Sequence, residues 1–155
     1  MNDKRIQDGE YLRAANLRQR LLRASRAVNN AIVQGLHDRG FSELRSTHTT
    51  LLSNLPFDGA SLTSVACHAG MTKQAMGRLA DELIQLNYIE SRRDESDRRA
   101  VKLSFTDAGL DLMQQSFAVM DEIERRSANH LGTADFQRLL QWLSEIAVEF
   151  EEGPE

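Results

Sequence analysis

The chain is poor in residues that staple a fold or interrupt it. Among 155 residues there is one cysteine, Cys67, and there are two prolines, Pro56 and Pro154. A lone cysteine excludes an internal disulfide and fits a reducing compartment. Long apolar runs are missing too. The longest uncharged stretch, Gly59 to Thr72, is too short and too polar to span a bilayer, and the opening MNDKRIQDGEYLR lacks the apolar segment of a signal peptide. A cytoplasmic protein with no membrane partner is the expectation. Glycine-rich phosphate loops, nucleophile elbows and coherent acid-base pairs are absent, so an enzyme is not expected. His37, His48, His68 and His130 are scattered without an H-x-x-x-H pair, so neither a metal nor another cofactor is expected.

What is present is the profile of one globular domain, with 41% hydrophobic and 27% charged residues. The net charge of -4 is unevenly spread: residues 1–47 carry 9 basic and 5 acidic side chains, residues 107–155 carry 3 and 11. The acid is concentrated in the last third, which leaves room for a basic working surface elsewhere.

From Glu10 to Arg39 the residues Leu17, Leu21, Val28, Ile32 and Leu36 recur at steps of four or seven, predicting one long amphipathic helix that Gly40 ends. A shorter helix is expected over Ser46 to Asn54, stopped by Pro56 and the turn Phe57-Asp58-Gly59-Ala60. Helices from Leu62 to Ala69 and from Thr72 to Leu86 follow, separated by a turn at Gly70, with Thr72 capping the second and Asn87 ending it. Val65, Ala66, Met71, Met76, Leu79 and Leu83 are placed to close the corner between them. Tyr88–Ser91 and Ala100–Phe105 read as two strands of a hairpin whose tip carries four arginines and three acids between Arg92 and Arg99. Thr106 then caps a long helix that breaks near Gly132. A last helix from Thr133 bears an apolar seam, Phe136, Leu139, Leu140, Leu143, Ile146, Ala147 and Phe150.

The fold class expected is therefore mostly α with a small two- or three-stranded antiparallel wing, a winged helix-turn-helix flanked by N- and C-terminal helices. A helix of this kind fits the major groove of double-stranded DNA with its N-terminal residues toward base edges. Those residues are Thr72, Lys73, Gln74, Gly77 and Arg78. Arginine donates two parallel hydrogen bonds to guanine and glutamine pairs with adenine, which makes Arg78 and Gln74 the candidates for direct readout. Lys73 and the hydroxyls of Ser61, Thr63 and Ser64 suit phosphates. At the wing tip a guanidinium is drawn to the negative potential of a narrow minor groove. Asp97 is two residues from Arg99 and on the same face of an extended chain, so it orients that arginine, leaving Arg92, Arg93 and Arg98 for phosphates.

The run AGMTKQAMGRLADELIQLNYIESRRDESDRRAVKLSFTDAG resembles the core of the MarR family of bacterial transcriptional regulators. The family's wing signature, Asp, any residue, Arg, five residues, Leu-Thr, two residues, Gly, falls on Asp97, Arg99, Phe105, Thr106 and Gly109. Phe105 replaces the usual leucine, and Asn87 stands where the family usually has glycine. The resemblance implies a single MarR-like domain over residues 1–155, with a DNA-binding region at 46–106 and dimerisation helices at 10–45 and 107–150. It implies an obligate homodimer on a pseudo-palindromic operator, acting as a repressor. It also implies release by a small-molecule effector in a cleft that position assigns to Leu36, His37, Phe41, His48, Leu51 and Leu52.

Two other readings stand beside this one. A charge-rich hairpin tip alone is an ordinary solvated turn, and a winged helix can be a protein-interaction module without DNA binding. Cys67, beside His68 on the first helix of the helix-turn-helix, would make a redox-responsive regulator if its oxidation disturbed the corner packing. Met71, Met76, Met113 and Met120 fall on apolar helix faces and read as core filler.

Overall fold

The computed structural model describes residues 16–93 and 101–151. Six helices occur among them: α1 (Leu17–His37), α2 (His48–Asn54), α3 (Leu62–His68), α4 (Lys73–Gln85), α5 (Asp107–Leu131) and α6 (Thr133–Glu151). Three short strands, β1 (Ala60–Ser61), β2 (Ile89–Arg93) and β3 (Val101–Phe105), form an antiparallel sheet in the order β1-β3-β2. The expected winged helix-turn-helix is thus present. The chain divides into two compact units, Met1–Ser116 and Phe117–Glu155, with the boundary inside α5.

Within the first unit, three helices end by one device. At the end of α1, Phe41 N–H donates to Leu36 C=O and Gly40 N–H to His37 C=O, with Gly40 at φ 97°. After α3, Met71 donates to Ala66 and Gly70 to Cys67, with Gly70 at φ 62°. After α4, Tyr88 donates to Leu83 and Asn87 to Ile84, with Asn87 at φ 61°. Each is a Schellman closure, which satisfies carbonyls that a helix end would otherwise leave open. Asparagine tolerates the left-handed region better than other non-glycine side chains, and this explains how Asn87 serves where the family that the sequence resembles usually has glycine.

The core of this unit gathers Val33 and Leu36 from α1, Leu51 and Leu52 from α2, Val65 and Ala66 from α3, Met76, Ala80 and Leu83 from α4, and Ile89, Leu103 and Phe105 from the sheet. Met71 and Leu79, expected at the same corner, are only half-buried. Two details differ from the sequence reading. The second helix starts at His48 rather than Ser46, because the Ser46 carbonyl and hydroxyl are engaged by Asn29 and Asn30 of α1. Ala60, read as part of a turn, is paired with Leu103 as strand β1. Two residues carry no alternation, so the pattern could not announce a strand. Gly59 makes the pairing possible, since a Cβ there would lie 2.5 Å from the Leu103 carbonyl oxygen.

The first helix begins at Leu17, capped by Asn16, whose side chain accepts from Gln19 N–H. Its expected start at Glu10 lies outside the described residues. Of its apolar stripe only Leu36 is buried, while Leu17 and Val28 are exposed. In the second unit, Gly132 at φ 88° separates α5 from α6 where the break was expected. On α6 Phe136 is buried, and Leu139, Leu140, Leu143 and Phe150 are exposed in the single chain. No described helix is long and apolar enough to cross a membrane.

Candidate nucleic-acid interface

Helix α4 owes its orientation to both of its faces. Met76, Ala80 and Leu83 are buried and fix the inner side. Thr72 caps the helix, its Oγ1 accepting from Ala75 N–H at 3.2 Å, which leaves the hydroxyl hydrogen free to donate outward. Lys73, Gln74 and Arg78 are exposed and have no hydrogen-bond or ion-pair partner among the described residues. Gln74, Gly77 and Arg78 lie three and four residues apart, so they share one face with Lys73 at its N-terminal end. The five residues expected at the groove-facing end are therefore brought together, with Gly77 half-buried and the rest exposed.

Helix α3 packs beside α4, and its cap is Ser61, whose hydroxyl accepts from Ser64 N–H at 3.1 Å. Thr63 is exposed, while Ser61 and Ser64 are half-buried. His68 donates from Nδ1 to the Ser64 carbonyl at 2.8 Å. Cys67 is a free thiol on the exposed side of this helix.

The wing is anchored at its base by Thr106. The Thr106 hydroxyl donates to the Asn87 carbonyl at 2.6 Å and accepts from Gly109 N–H at 3.0 Å, while Thr106 N–H donates to the Tyr88 carbonyl at 3.2 Å. One residue thus caps α5 and ties it to the corner leaving α4. Gly109 is required by the same approach: a Cβ there would stand 1.8 Å from the Tyr88 carbonyl oxygen. Phe105 sits against Phe57 with ring centroids 5.5 Å apart, so the exchange of leucine for phenylalanine is absorbed by an aromatic pair.

Toward the tip, Arg92 pairs with Glu90 at 2.6 Å, and both are solvent-accessible. Spacing of two on a strand places the acid beside the arginine, the relation expected of Asp97 and Arg99. Asp97, Arg98 and Arg99 lie outside the described residues, as does the Arg93 side chain. Lys102, which the sequence reading passed over, is directly across the ladder from Arg92. Two cations in one cross-strand pair repel each other, and Glu90 beside Arg92 offsets that repulsion.

A second cluster was also missed. His48 is 1% exposed, although histidine has no apolar claim to the core. Its Nδ1 accepts from Arg45 N–H at 3.2 Å, which assigns the proton to Nε2, and Nε2 donates to Glu82 of α4 at 2.8 Å. The Arg45 guanidinium pairs with the same carboxylate. The His48 hydrogen bond holds the Glu82 carboxyl below the ordinary value of 4.5; desolvation opposes it more weakly, and the charge of Arg45 adds to the lowering. The signal lay 34 residues apart in the chain, beyond the reach of local spacing. Burial raises the Tyr88 phenol, and the charge of Glu43 adds to the effect.

The residues expected to line an effector cleft are largely occupied within the fold. Leu36, His48, Leu51 and Leu52 are buried. His37 donates from Nε2 to the Leu44 carbonyl at 2.7 Å, and Phe41 is 6.0 Å from the Tyr88 ring. Among the described residues, no group of three or more histidine, cysteine, aspartate or glutamate side chains is arranged to hold a metal ion.

Comparison with known proteins places this geometry. Residues 49–101 match the model of the MarR family. No curated relative matches the chain in sequence. Among solved structures, the transcriptional repressor CouR bound to a 23-mer DNA duplex is 22% identical, with TM-score 0.67 over 86% of this chain and 94% of that one. Wild-type MarR from E. coli in its apo form is 14% identical, with TM-score 0.70 over 84% and 96%. A MarR transcriptional regulator from Methanosarcina mazei Go1 is 17% identical, with TM-score 0.74 over 86% and 95%. With a family match over the helix-turn-helix and wing, set in a fold shared along most of the chain, residues 49–101 are similar to the MarR family and the fold is a MarR-like winged helix-turn-helix.

Proposed function

We propose that the chain is a homodimeric, sequence-specific DNA-binding transcriptional regulator, acting as a repressor on a pseudo-palindromic operator. The observation that carries this reading is the outer face of α4, where Lys73, Gln74 and Arg78 are exposed, unpaired among the described residues, and set on a rigidly capped helix. Arg78 and Gln74 read base edges, while Lys73, Thr72 and the hydroxyls of Ser61, Thr63 and Ser64 hold phosphates. At the wing, Arg99, oriented by Asp97, enters the minor groove, and Arg92, Arg93, Arg98 and Lys102 face the backbone. The likeness to CouR, whose structure holds a DNA duplex, supports the assignment of the partner.

A second copy of the chain covers the exposed apolar faces. Leu17 and Val28 on α1 and Leu139, Leu140, Leu143 and Phe150 on α6 exceed what scattered surface residues require. In a twofold dimer, two recognition helices enter successive major grooves about 34–36 Å apart. A small-molecule effector that releases the operator belongs to the same reading, at the α1–α2 region of His37 and Phe41. Selection from a random duplex pool with purified protein tests the reading. An enriched inverted repeat with half-sites one helical turn apart supports it; an unenriched pool at low salt rejects it.

A further inference from the structure

Several glycines in this chain answer an internal demand. Gly40, Gly59, Gly70 and Gly132 have positive φ, and Gly109 faces a carbonyl oxygen that a Cβ would strike at 1.8 Å. Gly77 answers neither demand. It lies inside α4 without positive φ, and an added Cβ would meet one atom within 4 Å, Leu62 Cδ2 at 3.7 Å, which is ordinary van der Waals contact. Alanine at this position would fit, touch Leu62 and remove the entropic penalty that glycine carries inside a helix. The fold alone therefore favours a side chain where the sequence has none.

The vacancy lies at the edge of the exposed face, one turn after Gln74 and next to Arg78, where Gly77 is half-buried. Without a Cβ, the helix backbone there is bare, and a flat partner can come closer by roughly the thickness of a methyl group. We infer that Gly77 is a specificity-determining notch that seats one base-pair edge of the operator against the α4 backbone, with the 5-methyl group of thymine as the group received. Thymine fits because its methyl is the apolar feature of the major-groove edge, and bare Cα hydrogens offer apolar contact but no hydrogen bond. The notch also sets depth: with the backbone in contact at Gly77, Gln74 and Arg78 on the adjoining face reach neighbouring bases. This inference rests on the DNA-binding reading and adds to it a base identity.

Gly77→Ala separates the two demands. Measured by thermal unfolding, the variant should melt about 2–4 °C above the parent, because a helix-interior glycine has been replaced. Measured by fluorescence anisotropy on the duplex that the parent selects from a random pool, it should bind on the order of tenfold more weakly. Its affinity for an unrelated duplex should stay within about twofold of the parent's, since phosphate contacts are unchanged. Deoxyuridine in place of thymidine, scanned through the half-site, should weaken the parent at one position and leave Gly77→Ala unaffected there. Operator binding by Gly77→Ala equal to the parent's, or a parent insensitive to every thymine methyl, would overturn the notch while leaving the DNA-binding reading intact. A parent that binds no duplex at all removes both.

Discussion

Thr106→Val is the substitution that most directly probes how the wing is fixed. Valine keeps the shape of threonine but cannot accept from Gly109 N–H or donate to the Asn87 carbonyl, bonds of 3.0 and 2.6 Å in the native corner. Loss of a helix cap costs about 1 kcal/mol. Loss of a second hydrogen bond adds about 0.5–1.5 kcal/mol, with the low end expected where water reaches the freed carbonyl. The two together predict a destabilisation of about 2 kcal/mol, which for a chain of this size lowers Tm by about 4–8 °C. Urea unfolding followed by far-UV circular dichroism would measure it as a fall in midpoint at constant slope. Thr106→Ser is the control, because serine keeps both bonds and loses only a methyl group. A Thr106→Val protein as stable as the parent would refute the reasoning, and so would equal destabilisation by serine.

Other substitutions address the His48–Glu82–Arg45 cluster and the two elements proposed to contact DNA. The Glu82 carboxyl titrates below its ordinary 4.5, so its share of stability is present above that pH and fades as pH falls through the lowered value. Glu82→Gln should therefore flatten the loss of stability on acidification below about pH 4.5, and an unchanged acid profile in denaturant titrations would remove the cluster's role. Arg78→Ala or Gln74→Ala should relax preference at particular base positions by about 1–3 kcal/mol, read from binding to single-base operator variants. Arg99→Ala should weaken all operator variants together, and gel-shift affinity equal to the parent's would contradict the wing assignment.

Local chemistry was legible in the sequence wherever one residue decides a backbone geometry. Thr72 and Thr106 as caps, and Gly70 and Asn87 as left-handed closures, could be named from spacing, because each satisfies a demand that arises within a few residues of itself. Strand β1 escaped notice because its pairing with β3 depends on Gly59 meeting a carbonyl more than forty residues away. The His48–Glu82–Arg45 cluster escaped for the same reason, since a buried histidine between two short elements has no periodicity to mark it. Lys102 was passed over because only the ladder register sets it opposite Arg92. The exposed face of α4 proposed to read DNA was legible because amphipathic spacing separates Gln74 and Arg78 from Met76, Ala80 and Leu83. The effector candidates were harder to judge, since Leu36, Leu51 and Leu52 serve the core whether or not a cleft opens beside them.

The salt dependence of duplex binding tests the central claim most directly. A dimer that engages on the order of eight phosphates should lose affinity with a slope of log K against log salt of about -7. That slope, measured by anisotropy titrations of the selected operator, would be steep despite the net charge of -4, because on this account Lys73, Arg78 and the wing cations meet the duplex while the excess acid lies in residues 107–155. An association indifferent to salt, or no duplex binding at low ionic strength, would contradict the account.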